Sequence, residues 1–80
     1  MLSVAQLRAA RALLGWSQGE LAEASGLAIA TIKRMESARG PMKSSAENVL
    51  KVQQALEDAG VIFIDENGEG PGVRLRKQSR

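Results

Sequence analysis

The sequence predicts a mainly α domain of four short helices, followed by a C-terminal β-hairpin or strand pair. Three observations carry that expectation. Ser-x-x-Glu spacings at Ser17–Glu20 and Ser44–Glu47 mark helix starts, because each side chain can satisfy a backbone N–H that a first helical turn leaves orphaned. Gly15, Gly26 and Gly60 each follow a run of helical period, where a residue in the left-handed region closes a helix. After Gly60 the period changes: "VIFI" is continuously apolar and "GVRLR" alternates, and both patterns belong to strands.

The elements follow in order. "SVAQLRAARALLG" places Val4, Leu7, Ala10 and Leu14 on one helical face, with Ser3 as its N-cap and Gly15 past its end. In "WSQGEL", Ser17 and Glu20 form a capping box, and Trp16 with Leu21 can close as a hydrophobic staple. The second helix is short because Ser25 and Gly26 stop it. The third starts at Ala28 or Ile29, with Leu27 and Ile32 as its staple. Ala28 is a poor cap, and a missing polar cap costs about 0.5–2 kcal/mol, so packing or a ligand must help this helix begin. "ARGPMKS" is a loop, since Gly40 and Pro41 break any regular element. The fourth helix runs through "AENVLKVQQALEDAG", with Val49, Val52, Leu56 and Ala59 on one face and Ser44–Glu47 as its capping box. Two strands then flank the turn-rich "ENGEGPG", and "KQSR" is expected to fray.

Eighty residues make one small domain, divided here into a helical unit over 1–60 and a β extension over 61–80. There is no cysteine or histidine, so neither disulfides nor a Cys/His metal cluster can staple the chain. A second copy is the remaining common source of buried area. No stretch reaches the roughly 20 apolar residues of a membrane span, and the N-terminus shows no signal-peptide pattern. A cytoplasmic setting is expected.

Net charge is only +2, but its distribution is uneven. Residues 28–43 carry Lys33, Arg34, Arg39 and Lys43 against Glu36, a net of +3. Residues 44–69 carry Lys51 against six carboxylates, a net of −5, and residues 70–80 carry Arg74, Arg76, Lys77 and Arg80, a net of +4. Two basic zones on a nearly neutral chain can build a basic face for nucleic acid. Scattered charge that merely keeps a domain soluble is the plainer reading.

Two short helices about a tight glycine turn have helix-turn-helix geometry. "SQGELAEASGLAIATIKRMESARG" resembles the Cro/C1-type, or Xre-type, helix-turn-helix family of bacterial and phage transcriptional regulators. The likeness runs from residue 3 to about 59 and includes the first-helix arginine, the Ser-Gln start, "ELA", the turn glycine and "I-x-x-x-E". The tail resembles C-terminal extensions of some small bacterial members. The resemblance implies a lambda-repressor-like domain whose third helix enters the major groove of double-stranded DNA. It implies that Ile29, Ala30, Lys33 and Arg34 face base edges. It implies that Gln18 binds a phosphate and braces the reading helix, and that Arg11 and Glu36 form a buried pair.

Other readings stand beside these: Gln18 as a solvated first-turn residue, Arg11 and Glu36 as separate surface charges, Ile29 as a residue buried against protein. The chain departs from the family pattern in its apolar base-facing start, in Ala38 where a turn residue often ends the reading helix, and in two strands where a fifth helix is usual. Apolar groups in a major groove can pack on the thymine methyl, and arginine or lysine reads guanine O6 and N7. Ser17, Gln18, Thr31, Arg39 and Lys43, with amides near Gly40, are the expected phosphate contacts, which position a protein without reading sequence.

The expected function is a sequence-specific transcriptional regulator, a repressor or autoregulator, acting as a homodimer. Val61, Ile62, Phe63, Ile64, Val73 and Leu75 are the expected dimerisation residues, because a continuously apolar strand needs more cover than a lone hairpin supplies. The alternatives are an antitoxin whose strands cover a toxin, and a protein-interaction module without DNA binding. An enzyme is not expected: there is no His, Cys or Tyr, and no carboxylate pair on a catalytic motif. No cofactor is expected either. "DENGEG" alternates Asp65, Asn67 and Glu69 as some calcium loops do, but lacks the distant bidentate glutamate, and a hairpin turn is the expected structure.

Overall fold

The computed structural model describes residues 2–38, 42 and 44–77. Its elements are α1 (Val4–Leu14), α2 (Gln18–Ser25), α3 (Ile29–Ser37), α4 (Ala46–Asp58), β1 (Val61–Ile64) and β2 (Gly72–Leu75). The fold is mainly helical with a C-terminal antiparallel strand pair.

Local chemistry sets most boundaries. Ser3 and Gln6 cap α1 reciprocally: the Ser3 hydroxyl accepts from the Gln6 N–H at 3.1 Å, and the Gln6 side-chain oxygen accepts from the Ser3 N–H at 3.0 Å. Gly15 closes that helix in the left-handed region at φ 68°. Ser17 and Glu20 build the same reciprocal box on α2, and Gly26 closes it at φ 73°. Trp16 and Leu27, each just before a cap, pack against the core cluster that holds Leu21 and Ile32.

Two ends depart from side-chain capping. Ala28 caps α3 with no side-chain hydrogen bond, and Ala38 ends it in extended backbone at ψ 148°. At α4 the expected Ser44–Glu47 box does not form. The N-cap is Ser45, whose hydroxyl accepts from the Asn48 N–H at 3.1 Å. Consecutive serines offer the same cap. The backbone turns helical at Ala46, so Ser45 is the one whose hydroxyl reaches the third helical N–H. Glu47 instead lies 3.5 Å from Lys51, one turn along the exposed face.

The core gathers one stripe from every helix. Leu7, Leu21, Ile32, Met35, Val49, Val52 and Leu56 are all essentially inaccessible to solvent. Burying one such side chain fully contributes about 1.5–3 kcal/mol, so this cluster is the main driving force for folding. Ala22 is small where α2 packs against α3 and α4.

The strands close over α1 and α4. Val61 pairs with Leu75, Ile62 with Arg74, Phe63 with Val73 and Ile64 with Gly72. The Arg76 N–H donates to the Gly60 carbonyl at 2.7 Å and extends the ladder by one residue. Val61 is 1% exposed and sits inside the core of its own chain. Phe63 and Val73 are half-buried against the same core, Ile62 and Ile64 are half-buried on the opposite sheet face, and Leu75 is exposed.

The turn between the strands is built by its own carboxylate. Glu66 Oε2 accepts from the Gly68 and Gly70 N–H groups at 2.8 Å each, and the Asn67 side chain accepts from the Glu69 N–H at 3.2 Å. Gly68 and Gly70 take φ of 101° and 95°, which side chains rarely tolerate. No helix is long and apolar enough to cross a membrane among the described residues.

Candidate nucleic-acid interface

The period of α3 splits its residues into two faces. Ile32, Met35 and Glu36 are buried, and Ala28, Ile29, Ala30, Lys33, Arg34 and Ser37 are exposed, with Thr31 at the margin. Ile29 is 45% exposed, a high value for a large aliphatic side chain. Its Cδ1 atom reaches toward Gly19 in the first turn of α2, where a Cβ would lie 3.7 Å away. One surface therefore presents Ile29, Ala30, Lys33 and Arg34 together, with two cationic heads beside a small apolar step.

Behind that surface Glu36 anchors α3. Arg11 Nε donates to Glu36 Oε2 at 2.7 Å, and a terminal guanidinium nitrogen of Arg11 donates to Oε1 at 2.9 Å. The remaining arm of Arg11 donates to the Trp16 carbonyl at 2.8 Å, which ties the α1–α2 turn to the same point. Gln18 Nε2 donates to Glu36 Oε1 at 3.2 Å, and Arg8 donates to the Glu36 backbone carbonyl. Burial alone would raise the Glu36 carboxyl pKa. The Arg11 and Gln18 hydrogen bonds and the charges of Arg11 and Arg8 outweigh it and hold the group below its ordinary value. Arg11 is correspondingly raised, first by its hydrogen bond to Glu36.

The other expected phosphate contacts fall as follows. Ser17 is exposed at the α2 N-cap, where its oxygen accepts from the Glu20 N–H and its own hydroxyl hydrogen is left to donate outward. Gln18 is half-buried and braces Glu36. Thr31 is half-buried on α3. Arg39, Lys43 and the Gly40 amide lie outside the described residues. No group of His, Cys, Asp or Glu side chains that could hold a metal ion is found among the described residues.

Three contributors were not singled out by sequence reasoning. Gln6 had a legible signal, the Ser-x-x-Gln capping spacing, but its second set of bonds, from its Nε2 to the Ile64 and Gly72 carbonyls at 3.3 and 3.0 Å, has none. Arg8 lies one turn before Arg11, and only the fold brings it to the end of α3. Gly19 shows its significance only once Ile29 is seen against it.

Two short helices crossing at a tight glycine turn, the second with one face locked into the core and the other exposed and basic, define a helix-turn-helix protein. Residues 7–57 match the helix-turn-helix family model of the Cro/C1 type, and the chain belongs to that family of DNA-binding transcription regulators. No curated protein matches the sequence.

Proposed function

We propose that the protein is a sequence-specific transcriptional regulator, a repressor or autoregulator, that acts in the cytoplasm and binds its operator as a homodimer. The observation that carries this reading is the division of α3. Ile32, Met35 and Glu36 fix the helix to the core, and Ile29, Ala30, Lys33 and Arg34 stand free on its outer face. A helix seated in the major groove reads sequence with such a face. In this reading Arg34 or Lys33 takes guanine O6 and N7, and Ile29 with Ala30 packs on a thymine methyl. Ser17, Gln18, Thr31, Arg39 and Lys43 hold phosphates and set the register. Two reading helices in a dimer engage half-sites about 10–10.5 base pairs apart, or a multiple of that spacing.

The test is a pair of variants measured against a selected operator and random DNA at several salt concentrations. Arg34→Ala should cost about 1–3 kcal/mol on the operator and relax preference at one base position. Lys43→Ala should weaken binding to both DNAs alike and flatten the salt slope by about one unit. Equal losses on both DNAs for Arg34→Ala would make Arg34 a phosphate contact and remove it from the reading face.

A further inference from the structure

The outer edge of β2 has a defined phase. The bond from the Arg76 N–H to the Gly60 carbonyl makes Gly60 and Arg76 a hydrogen-bonded pair. By alternation, Gly72 and Arg74 also direct their backbone groups at β1, and Val73 and Leu75 direct theirs away from it. Among the described residues no backbone hydrogen bond joins Val73 or Leu75 to anything beyond the strand pair. Beside this edge Leu75, 43% exposed, lines a shallow groove with Leu13 and Leu14.

The hairpin also carries opposite charge at its two ends. Asp65, Glu66 and Glu69 lie in the turn, and Arg74, Arg76 and Lys77 lie at the far end of β2 and just beyond it, all of them exposed. Antiparallel pairing of two such edges sets the acidic turn of each against the basic end of the other.

We infer that two copies of the chain join through their β2 edges, antiparallel about a two-fold axis at Val73, to form one four-stranded sheet. The inference rests on the homodimer reading above and supplies its interface. Phase and facing allow only pairings that set odd residues against odd ones. An axis at Arg74 would oppose Arg74 to its own copy, with both Arg76 side chains close by. An axis at Leu75 would oppose each Arg74 to an Arg76. Like charges directly opposite are destabilising. An axis at Gly72 would set Leu75 against the partner's Glu69, on the far side of Gly70, whose φ of 95° ends the extended edge, so only the Val73 N–H would find a partner carbonyl.

The axis at Val73 avoids all three. Arg74 then faces the partner's Gly72, which has no side chain to crowd it. Arg76 faces the partner's Gly70, and the Glu66 carboxylate is already there: its Oε2 accepts from the Gly70 N–H at 2.8 Å, and its Oε1 lies 3.9 Å from where a Gly70 Cβ would be. Past Gly70 the edge is no longer extended, and Lys77 comes up to the partner's turn beside Glu69. Leu75 donates its free N–H to the partner's Pro71 carbonyl, and the proline ring covers the groove of Leu13, Leu14 and Leu75. Proline has no N–H to leave unpaired at that position.

Sedimentation of the full chain across a concentration series tests this. Lys77→Glu and Glu69→Lys should each weaken the dimer about tenfold, since each reverses two exposed ion pairs. The double variant should return to within a factor of about three. Leu75→Pro should give a folded monomer by circular dichroism, because the N–H it removes points away from β1. Dimers unchanged by both charge reversals, or a folded dimer in Leu75→Pro, would place the interface elsewhere and overturn the inference, with the regulator reading intact. A wild-type monomer at operator-binding concentrations would overturn the inference and the homodimer together. A dimer with charge rescue that binds no DNA sequence preferentially would support the interface and remove the regulator reading alone.

Discussion

Arg11 on α1 and Glu36 on α3 hold each other by two hydrogen bonds, 2.7 and 2.9 Å long, behind the exposed face of α3, to which neither belongs. Glu36 sits one turn after Ile32 and one residue after Met35, so the pair lies on the buried side of α3 and fixes the rotation of that helix. Gln18 and Arg8 add bonds to the same residue, to its carboxylate and its carbonyl respectively. The exposed face is therefore determined from behind. Glu36 presents a carboxylate to three donors, and rotating α3 to bury Ile29 instead would strand them all.

Removal of one partner should accordingly be costly. Glu36→Ala leaves the Arg11 guanidinium partly buried without its counter-charge, a loss of about 3 kcal/mol, the low end for buried pairs because the Arg11 side chain retains 24% exposure. At roughly 4–8 °C per kcal/mol for a domain of this size, the melting temperature should fall by about 12–24 °C. Thermal denaturation checks it, and an unchanged melt would show that the pair does not hold α3.

The same carboxylate gives a pH dependence with a defined sign. Its pKa is depressed in the folded state, so at acid pH the unfolded chain binds the proton more readily. Stability from this group is complete above the ordinary carboxylate range and is lost as pH falls from about 5 toward the folded pKa. Melting temperatures of wild type and Glu36→Gln should converge as pH drops through that window. Curves that stay parallel down to about pH 3 would assign the acid sensitivity to other carboxylates.

Gln6 joins the helices to the hairpin. Its oxygen caps α1 through the Ser3 N–H, and its nitrogen donates to the carbonyls of Ile64 and Gly72 at the turn end of the ladder. With the residue only 7% exposed, these bonds are largely shielded from water. Gln6→Ala removes part of the cap and leaves two carbonyls short of a donor, at a cost of about 2–4 kcal/mol. Gln6→Glu keeps the cap but aims a carboxylate at two carbonyl oxygens, and it should cost at least as much. Amide hydrogen exchange should show both variants loosening β1 and β2 before α2 and α3. Uniform loosening would mean that the hairpin is held by its apolar contacts at Val61, Phe63 and Val73 rather than by Gln6.

What was legible in the sequence was local. Ser17 with Glu20, Gly15 and Gly26 fixed their helix ends because cap chemistry acts within three or four residues. The Ser44–Glu47 box failed for the same reason: with Ser45 adjacent, spacing alone does not choose between two equivalent caps, and the placement of Val49, Val52 and Leu56 against the core does. The faces of α3 followed from periodicity, and the Arg11–Glu36 pair from resemblance to a family. The bonds from Gln6 to Ile64 and Gly72 span 58 and 66 residues, and no local pattern encodes them. The burial of Val61 was not legible either, because an apolar run shows that a strand needs cover without showing which residue its own chain covers.

Gly19 supplies the last prediction. It occupies the first turn of α2 with ordinary helical backbone, where alanine would be more stable in isolation. A Cβ there would meet Ile29 Cδ1 and Ser17 Oγ at 3.7 Å each, which is ordinary contact distance. The free protein thus has no steric need for this glycine. Its bare backbone lies beside Ile29 and Ser17, on the flank where the DNA backbone must pass if α3 enters the groove, and glycine is suited to sites where a ligand approaches the chain closely. Gly19→Ala should therefore stabilise the free protein by about 0.4–1 kcal/mol while weakening operator binding about fivefold. Denaturant titration and operator binding measured on the same preparation separate the two effects. A variant that is more stable and binds the operator as tightly as wild type would show that DNA does not pass over α2 at Gly19, and the docking of α3 would have to be turned away from that flank.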